Sequence, residues 1–204
     1  TTADALQHFA ATARNQKVCA LNFANGRTVG GGYVNGATAQ EEDLCRRMPT
    51  LYASLASAKQ SGLYPFGPST YASAAMPERY ADVLYTKGVV MSRGSAEEGF
   101  AWLPQERQVT ASLVTAAAPN VPHGEIYDLA LMQQAVVSIL VAPHVLDSDV
   151  SILVLGAWGC GAFGGQPGDF AELLARALID SKLGCRYREV HFAIPAKHAA
   201  DRNA

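Results

Sequence analysis

The sequence predicts a layered α/β domain, and three observations predict it. Short apolar or β-branched stretches bounded by turn residues recur along the chain, stretches with apolar residues at helical spacing lie between them, and 49% of the 204 residues are hydrophobic while only 17% are charged. Strands alternating with helices imply a sheet covered by helices on both faces. A chain of this length can bury a core without disulfide or metal staples. No repeat or low-complexity segment divides it, so residues 1–204 are expected to form a single domain.

Along the chain, Ala5–Arg14 reads as a helix and Val18–Ala24 as the first strand. Ala39–Met48 and Thr50–Ala58 carry helical spacing; Pro49 between them removes an amide donor and crowds the preceding turn, which predicts two helices or one kinked one. Ser61–Arg79 holds Gly62, Pro65, Gly67, Pro68 and Pro77 without a sustained period, as expected of a long structured loop. Asp82–Met91 and Val109–Ala117 follow as strands, then Tyr127–Val141 as a helix and Ser151–Gly156 as a strand. Phe170–Ser181 sets Leu173, Leu174, Ala177 and Leu178 at helical spacing, and Glu189–Ile194 is the last strand.

The formal charge of −2 gives no global attraction for nucleic acid or an anionic membrane, so a negatively charged ligand needs a local site. Cys19, Cys45, Cys160 and Cys185 form no CxxC pair, and His8, His123, His144, His191 and His198 show no ligand spacing. Neither a metal nor a cofactor is expected, and the thiols read as buried or half-buried. The longest apolar runs, around Val150–Ala157 and Gln134–Ala142, are short for a membrane span, and no basic segment precedes an apolar one at the start. These features suggest a soluble monomer, with the cytoplasm the favoured compartment. The first residue is Thr1 and not methionine, as in a processed or excised piece.

The most informative segment runs from Leu21-Asn22-Phe23-Ala24-Asn25 through Gly30-Gly31-Gly32 and, seven residues later, to Gln40-Glu41-Glu42. Consecutive glycines let the backbone approach a ligand closely, and their amides can bind phosphate. A helix starting near Ala39 would present its positive end on the same side. Acidic residues in a first helical turn are also common for dipole reasons alone, and an asparagine after a strand often only closes a turn.

The conjunction of strand, asparagine, triple glycine and Gln-Glu-Glu resembles the signature of the poly(ADP-ribose) glycohydrolases. Asn35-Gly36-Ala37-Thr38-Ala39 before it and Asp43-Leu44-Cys45-Arg46-Arg47 after it are similar to the microbial branch. The resemblance implies a three-layer macrodomain-like fold with a mixed central sheet, and hydrolysis of ribosyl O-glycosidic bonds in poly(ADP-ribose). It makes Glu42 the acid/base residue and Glu41 a ligand to the ribose hydroxyls. Asn25 is assigned to the distal ribose, Asn22 to support of the loop, and Gly30, Gly31, Gly32 and Gln40 to the ligand. Acid/base work requires a carboxyl that keeps its proton part of the time, hence burial or a like charge nearby.

A second glycine run, Gly156-Ala157-Trp158-Gly159-Cys160-Gly161-Ala162-Phe163-Gly164-Gly165, follows the strand Ser151–Gly156. Read alone it contains GxGxxG, the dinucleotide-binding fingerprint, but Pro167-Gly168 separates it from the next helix and only one strand follows. It also resembles the second phosphate-binding loop of microbial poly(ADP-ribose) glycohydrolases. On that likeness Gly159, Cys160, Gly161 and Ala162 offer amides to a diphosphate and Phe163 packs near the ribose. Cys160 has no histidine tied to it, so packing is preferred to nucleophilic chemistry. Gly164-Gly165 stands where the family carries an asparagine, and the amino-terminal helical segment is shorter than usual. Thr115–Asn120 is similar to the end of the family's central strand and receives no role. The alternatives are removal of single ADP-ribose units from an acceptor and non-catalytic ADP-ribose binding; retention of both glutamates favours an enzyme.

Overall fold

The computed structural model describes residues 1–73 and 76–195; His198 lies outside the described residues. The helices are α1 (Thr2–Thr12), α2 (Gln40–Arg47), α3 (Pro49–Gln60), α4 (Ser69–Ser73), α5 (Leu129–Leu146) and α6 (Pro167–Ala175). The strands are β1 (Lys17–Ala24), β2 (Leu84–Met91), β3 (Val109–Ala117), β4 (Val150–Leu155) and β5 (Glu189–Phe192). All five expected strands form, and the sheet is mixed. Its order is β2-β3-β1-β4-β5, with β3, β1, β4 and β5 parallel and β2 antiparallel to β3.

Alternation along β1 divides the core. Val18 and Ala20 face Leu6, Phe9, Leu44, Met48 and Leu51 of α1 to α3, whereas Cys19 and Leu21 face Met132, Val136, Ile139 and Leu140 of α5 and Leu173 of α6. Helices on both faces make three layers, and each fully buried leucine or isoleucine contributes roughly 1.5–3 kcal/mol. Pro49 occupies the first turn of α3, where its missing amide costs no helical bond, so the chain forms two helices and not a kinked one.

The departures from expectation are local. The loop expected over 61–79 contains α4 and a single turn at Pro77–Arg79. Helix α5 is capped by Asp128, whose side chain accepts from the amides of Ala130 and Leu131, and it runs past the expected end at Val141 with Pro143 inside it. At 18 residues and a mean hydropathy of 1.7 it is long and apolar enough to cross a membrane, a length the separate apolar runs did not suggest. Here its buried face packs on the sheet and α6. Helix α6 ends at Ala175 and continues as one wide turn over Arg176–Asp180. Cys185 is exposed, unlike the buried Cys19 and Cys45 and the half-buried Cys160, because it sits in a surface turn after that segment.

For function, the decisive feature is direction. Because β1, β3 and β4 are parallel neighbours, the segments after Ala24, Ala117 and Leu155 all leave the same edge of the sheet. Both glycine runs therefore begin side by side, although more than a hundred residues separate them in sequence.

Candidate active site

The glutamate pair opens α2, whose Glu41, Glu42 and Asp43 sit in the first turn and Arg46 and Arg47 in the last, complementing the helix dipole at both ends. Among the described residues no side chain caps this helix; Gln40 anchors it to the sheet instead. The Gln40 side-chain carbonyl accepts from the Phe23 amide (2.9 Å), and its NH2 donates to the Leu21 carbonyl (2.8 Å) and to Thr2 Oγ1 (3.0 Å). These bonds fix the start of α2 against the end of β1.

Both glutamates are almost completely buried, Glu41 with 2% and Glu42 with 7% of its surface exposed. Glu41 Oε2 accepts from the Asn25 amide (2.9 Å) and Oε1 from Asn22 Nδ2 (3.2 Å). Asn22 is itself fully buried and also donates to Thr115 Oγ1 (3.3 Å), while its Oδ1 has no hydrogen-bond partner among the described residues. Burial pushes the Glu41 carboxyl up to about 8, with the charge of Glu42 adding to the rise and the Asn25 and Asn22 donors opposing it. Glu42 Oε1 accepts from the Gly32 amide at 2.7 Å, and among the described residues Oε2 has no partner.

The triple glycine covers this pair. Gly30 and Gly31 hold φ of 64° and 57°, and a Cβ at Gly31 would stand 2.5 Å from Glu42 Oε1 and 3.1 Å from Glu41 Oε2. At Gly30 it would meet the Tyr52 ring at 2.9 Å. The expected phosphate-binding amides are largely committed elsewhere: Gly31 donates to the Thr28 carbonyl (3.0 Å) and Gly32 to Glu42. The first loop brings the backbone down onto two carboxylates. Asn25 Oδ1 accepts from the amides of Arg27 and Thr28, which closes the turn and leaves its NH2 without a partner among the described residues.

The second glycine run is arranged differently. Cys160 donates its amide to the Ala157 carbonyl (3.2 Å), and Gly164 donates to Gly161 (3.0 Å). The amides of Gly159, Gly161, Ala162 and Phe163 have no partner among the described residues, and Gly161 and Ala162 are exposed. Consecutive free amides in a turn form an anion-binding concavity. Burial raises the Cys160 thiol, which disfavours a thiolate. Gly159, at φ 76°, fits against Phe170 and Ala118 where a Cβ would come within 2.8 Å of both, and Trp158 Nε1 donates to the Ala116 carbonyl (3.0 Å).

The segment after β3, given no role from sequence, joins the two. Thr115 receives Asn22, the Val121 amide donates to the Phe163 carbonyl (3.0 Å), and the Asn120 amide donates to Glu125 Oε2 (2.9 Å). Glu125 is buried, and its Oε1 also accepts from Arg27 Nε (3.1 Å) and Ser69 Oγ (2.8 Å). One carboxylate thus ties together the loops after β1 and β3 and the start of α4. No local motif marks Glu125; only the topology brings Arg27 within reach. A cavity of about 660 Å³ lies next to the start of α2 and touches Phe23 and Gln40, but its lining includes neither glutamate and no residue of the second loop.

The chain as a whole has known relatives. The family profile described as the catalytic domain of microbial-type PARG matches residues 1–94. No curated protein matches the chain in sequence. Among solved structures, the poly(ADP-ribose) glycohydrolase of Thermomonospora curvata is 29% identical, with a TM-score of 0.81 over 98% of this chain and 70% of its own. The same enzyme bound to the inhibitor ADP-HPD is 30% identical, with a TM-score of 0.81 over 99% of this chain and 73% of its own. The Deinococcus radiodurans glycohydrolase in complex with ADP-ribose is 28% identical, with a TM-score of 0.78 over 98% and 77%. With its glycine-covered glutamate pair and a second glycine turn on the neighbouring strand, the chain belongs to the microbial-type poly(ADP-ribose) glycohydrolases.

Proposed function

We propose that this chain hydrolyses the ribosyl O-glycosidic bond of poly(ADP-ribose), releasing ADP-ribose from chain ends, with Glu42 as acid and base. The observation that carries the assignment is the placement of Glu42: buried under Gly31, one oxygen held by the Gly32 amide and the other free to act.

Cleavage needs a proton on the departing oxygen and an activated water at the anomeric carbon, through an oxocarbenium-like transition state. Glu42 supplies the proton in the first half and removes one from water in the second. Glu41, both of whose oxygens are held, orients the ribose hydroxyls; because its pKa is raised to about 8, the pair carries less than its full double charge near neutrality. The free NH2 of Asn25 donates to the distal ribose. Asn22 and Gln40 act one layer back, Asn22 steadying Glu41 and Gln40 steadying the helix start. The amides of Gly159, Gly161 and Ala162 hold the diphosphate, while the committed Cys160 amide shapes the turn and Phe163 packs beside the ribose.

The test offers defined ADP-ribose polymer and singly modified protein to the wild type and to Glu42→Gln, and measures ADP-ribose release. Release from polymer by the wild type, with a loss of about 10²–10⁴-fold in the variant, is expected. Release only from the singly modified protein would replace the polymer with a mono-ADP-ribosylated substrate, and tight binding without turnover would leave a reader.

A further inference from the structure

A second surface begins where the glycine turn ends, and its reading rests on the polymer assignment above. Arg46 lies one helical turn beyond Glu42 on α2, which places the two on the same helix face. It donates to the Tyr33 carbonyl (3.3 Å), and its guanidinium carbon lies 5.4 Å from the Tyr33 ring centre and 5.9 Å from that of Phe100. Tyr33 directly follows Gly32, whose amide holds Glu42. Beside this group Arg93 stacks 4.2 Å from the ring centre of Trp102, which is 66% exposed. Tyr33, Val34, Arg46, Pro49, Arg93 and Phe100 enclose a hollow of about 530 Å³.

Among the described residues, neither Arg46 nor Arg93 forms an ion pair, whereas Glu98 in the neighbouring turn is matched by Arg107 at 2.8 Å. Two guanidiniums set over aromatic rings and outside any ion pair among the described residues form a pre-organised site for a ligand that combines a planar base with closely spaced negative charge. A glycohydrolase acting on a polymer has such a group on the far side of the bond it cuts, because the leaving unit carries an adenine and a diphosphate. We propose that this hollow, together with Trp102 beside it, is the subsite for the leaving ADP-ribose unit, with its adenine on Trp102 and its diphosphate between Arg46 and Arg93.

Two measurements test it. In the Glu42→Gln protein, a two-unit ADP-ribose fragment should bind about tenfold more tightly than ADP-ribose, and Trp102→Ala or Arg93→Ala should remove that preference. In the active protein, the same surface substitutions should lower kcat/KM on polymer about tenfold while leaving unchanged the hydrolysis of an aryl ADP-ribose, which lacks a second unit. Equal binding of one and two units, or equal losses on polymer and aryl substrate, would overturn the subsite. So would a Trp102-dependent preference for acidic modified peptide over the two-unit fragment. Failure to bind single ADP-ribose at all would instead strike the underlying functional assignment, and the subsite with it.

Discussion

The two glycine turns leave neighbouring parallel strands at the same edge of the sheet, yet they use glycine for opposite purposes. In the first, Gly31 and Gly32 have committed amides, and the missing side chains let the backbone press onto Glu41 and Glu42. In the second, the amides of Gly161 and Ala162 face solvent unpaired, and a Cβ added at Gly161 would meet nothing within 4 Å. Glycine gives the first turn room for two carboxyl groups and the second a row of unpaired donors. A glycine-rich motif thus signals close approach, but not what approaches.

The comparison can be broken most directly at Glu42, the proposed acid. Glu42→Gln keeps the side chain's shape and its contact with Gly32 while removing the transferable proton, so steady-state kinetics should show kcat falling about 10²–10⁴-fold with little change in melting temperature. Gly31→Ala comes next. A methyl group at φ 57° and 2.5 Å from Glu42 Oε1 has to displace the carboxylate, and the left-handed backbone costs a further 1–2 kcal/mol or so, visible as a lower denaturant midpoint together with lost activity. Glu125→Ala leaves the Asn120 amide and Ser69 hydroxyl without their carboxylate acceptor. Stability should fall by about 1–3 kcal/mol, and KM should rise as the loops loosen.

The next test uses pH. Glu41 is raised from 4.5 to about 8 in the folded protein, so the fold holds a proton that the unfolded chain releases. Stability from this group is complete below pH 4.5 and is lost progressively as pH rises toward about 8. Denaturant titrations across the range should show this slope in the wild type and its absence in Glu41→Gln. Least of all, Gly161→Ala should change stability by under about 0.5 kcal/mol, because its Cβ enters open space. A large loss there would mean that the second turn is as tightly packed as the first.

Much of this architecture was legible in the sequence where the signal is local. Strands with β-branched runs, the helix break at Pro49 and the strand-glycine-glutamate order each follow from neighbouring residues. Glu125 and Thr115 were not legible, because their partners Arg27 and Asn22 lie 98 and 93 residues away and no spacing rule links them. The partners of the Gly31 and Gly32 amides are not legible for a related reason: whether a glycine N–H faces a ligand or the protein's own carboxylate depends on how the following helix is docked. That docking is set by the hydrogen bonds of Gln40 to β1 and α1, which no local spacing announces.

Gln40 has a broader consequence. The paired register of β1 with β4 ends at Ala20, and just beyond it the Leu21 carbonyl and Phe23 amide are met by the two ends of one side-chain amide. A side chain is standing in for a peptide unit of an absent strand, so the geometry of α2 is referenced to the most central strand of the molecule and not to a surface loop. Transplanting the glutamate pair to another scaffold would therefore require a matching gap in that scaffold's sheet for a glutamine to fill.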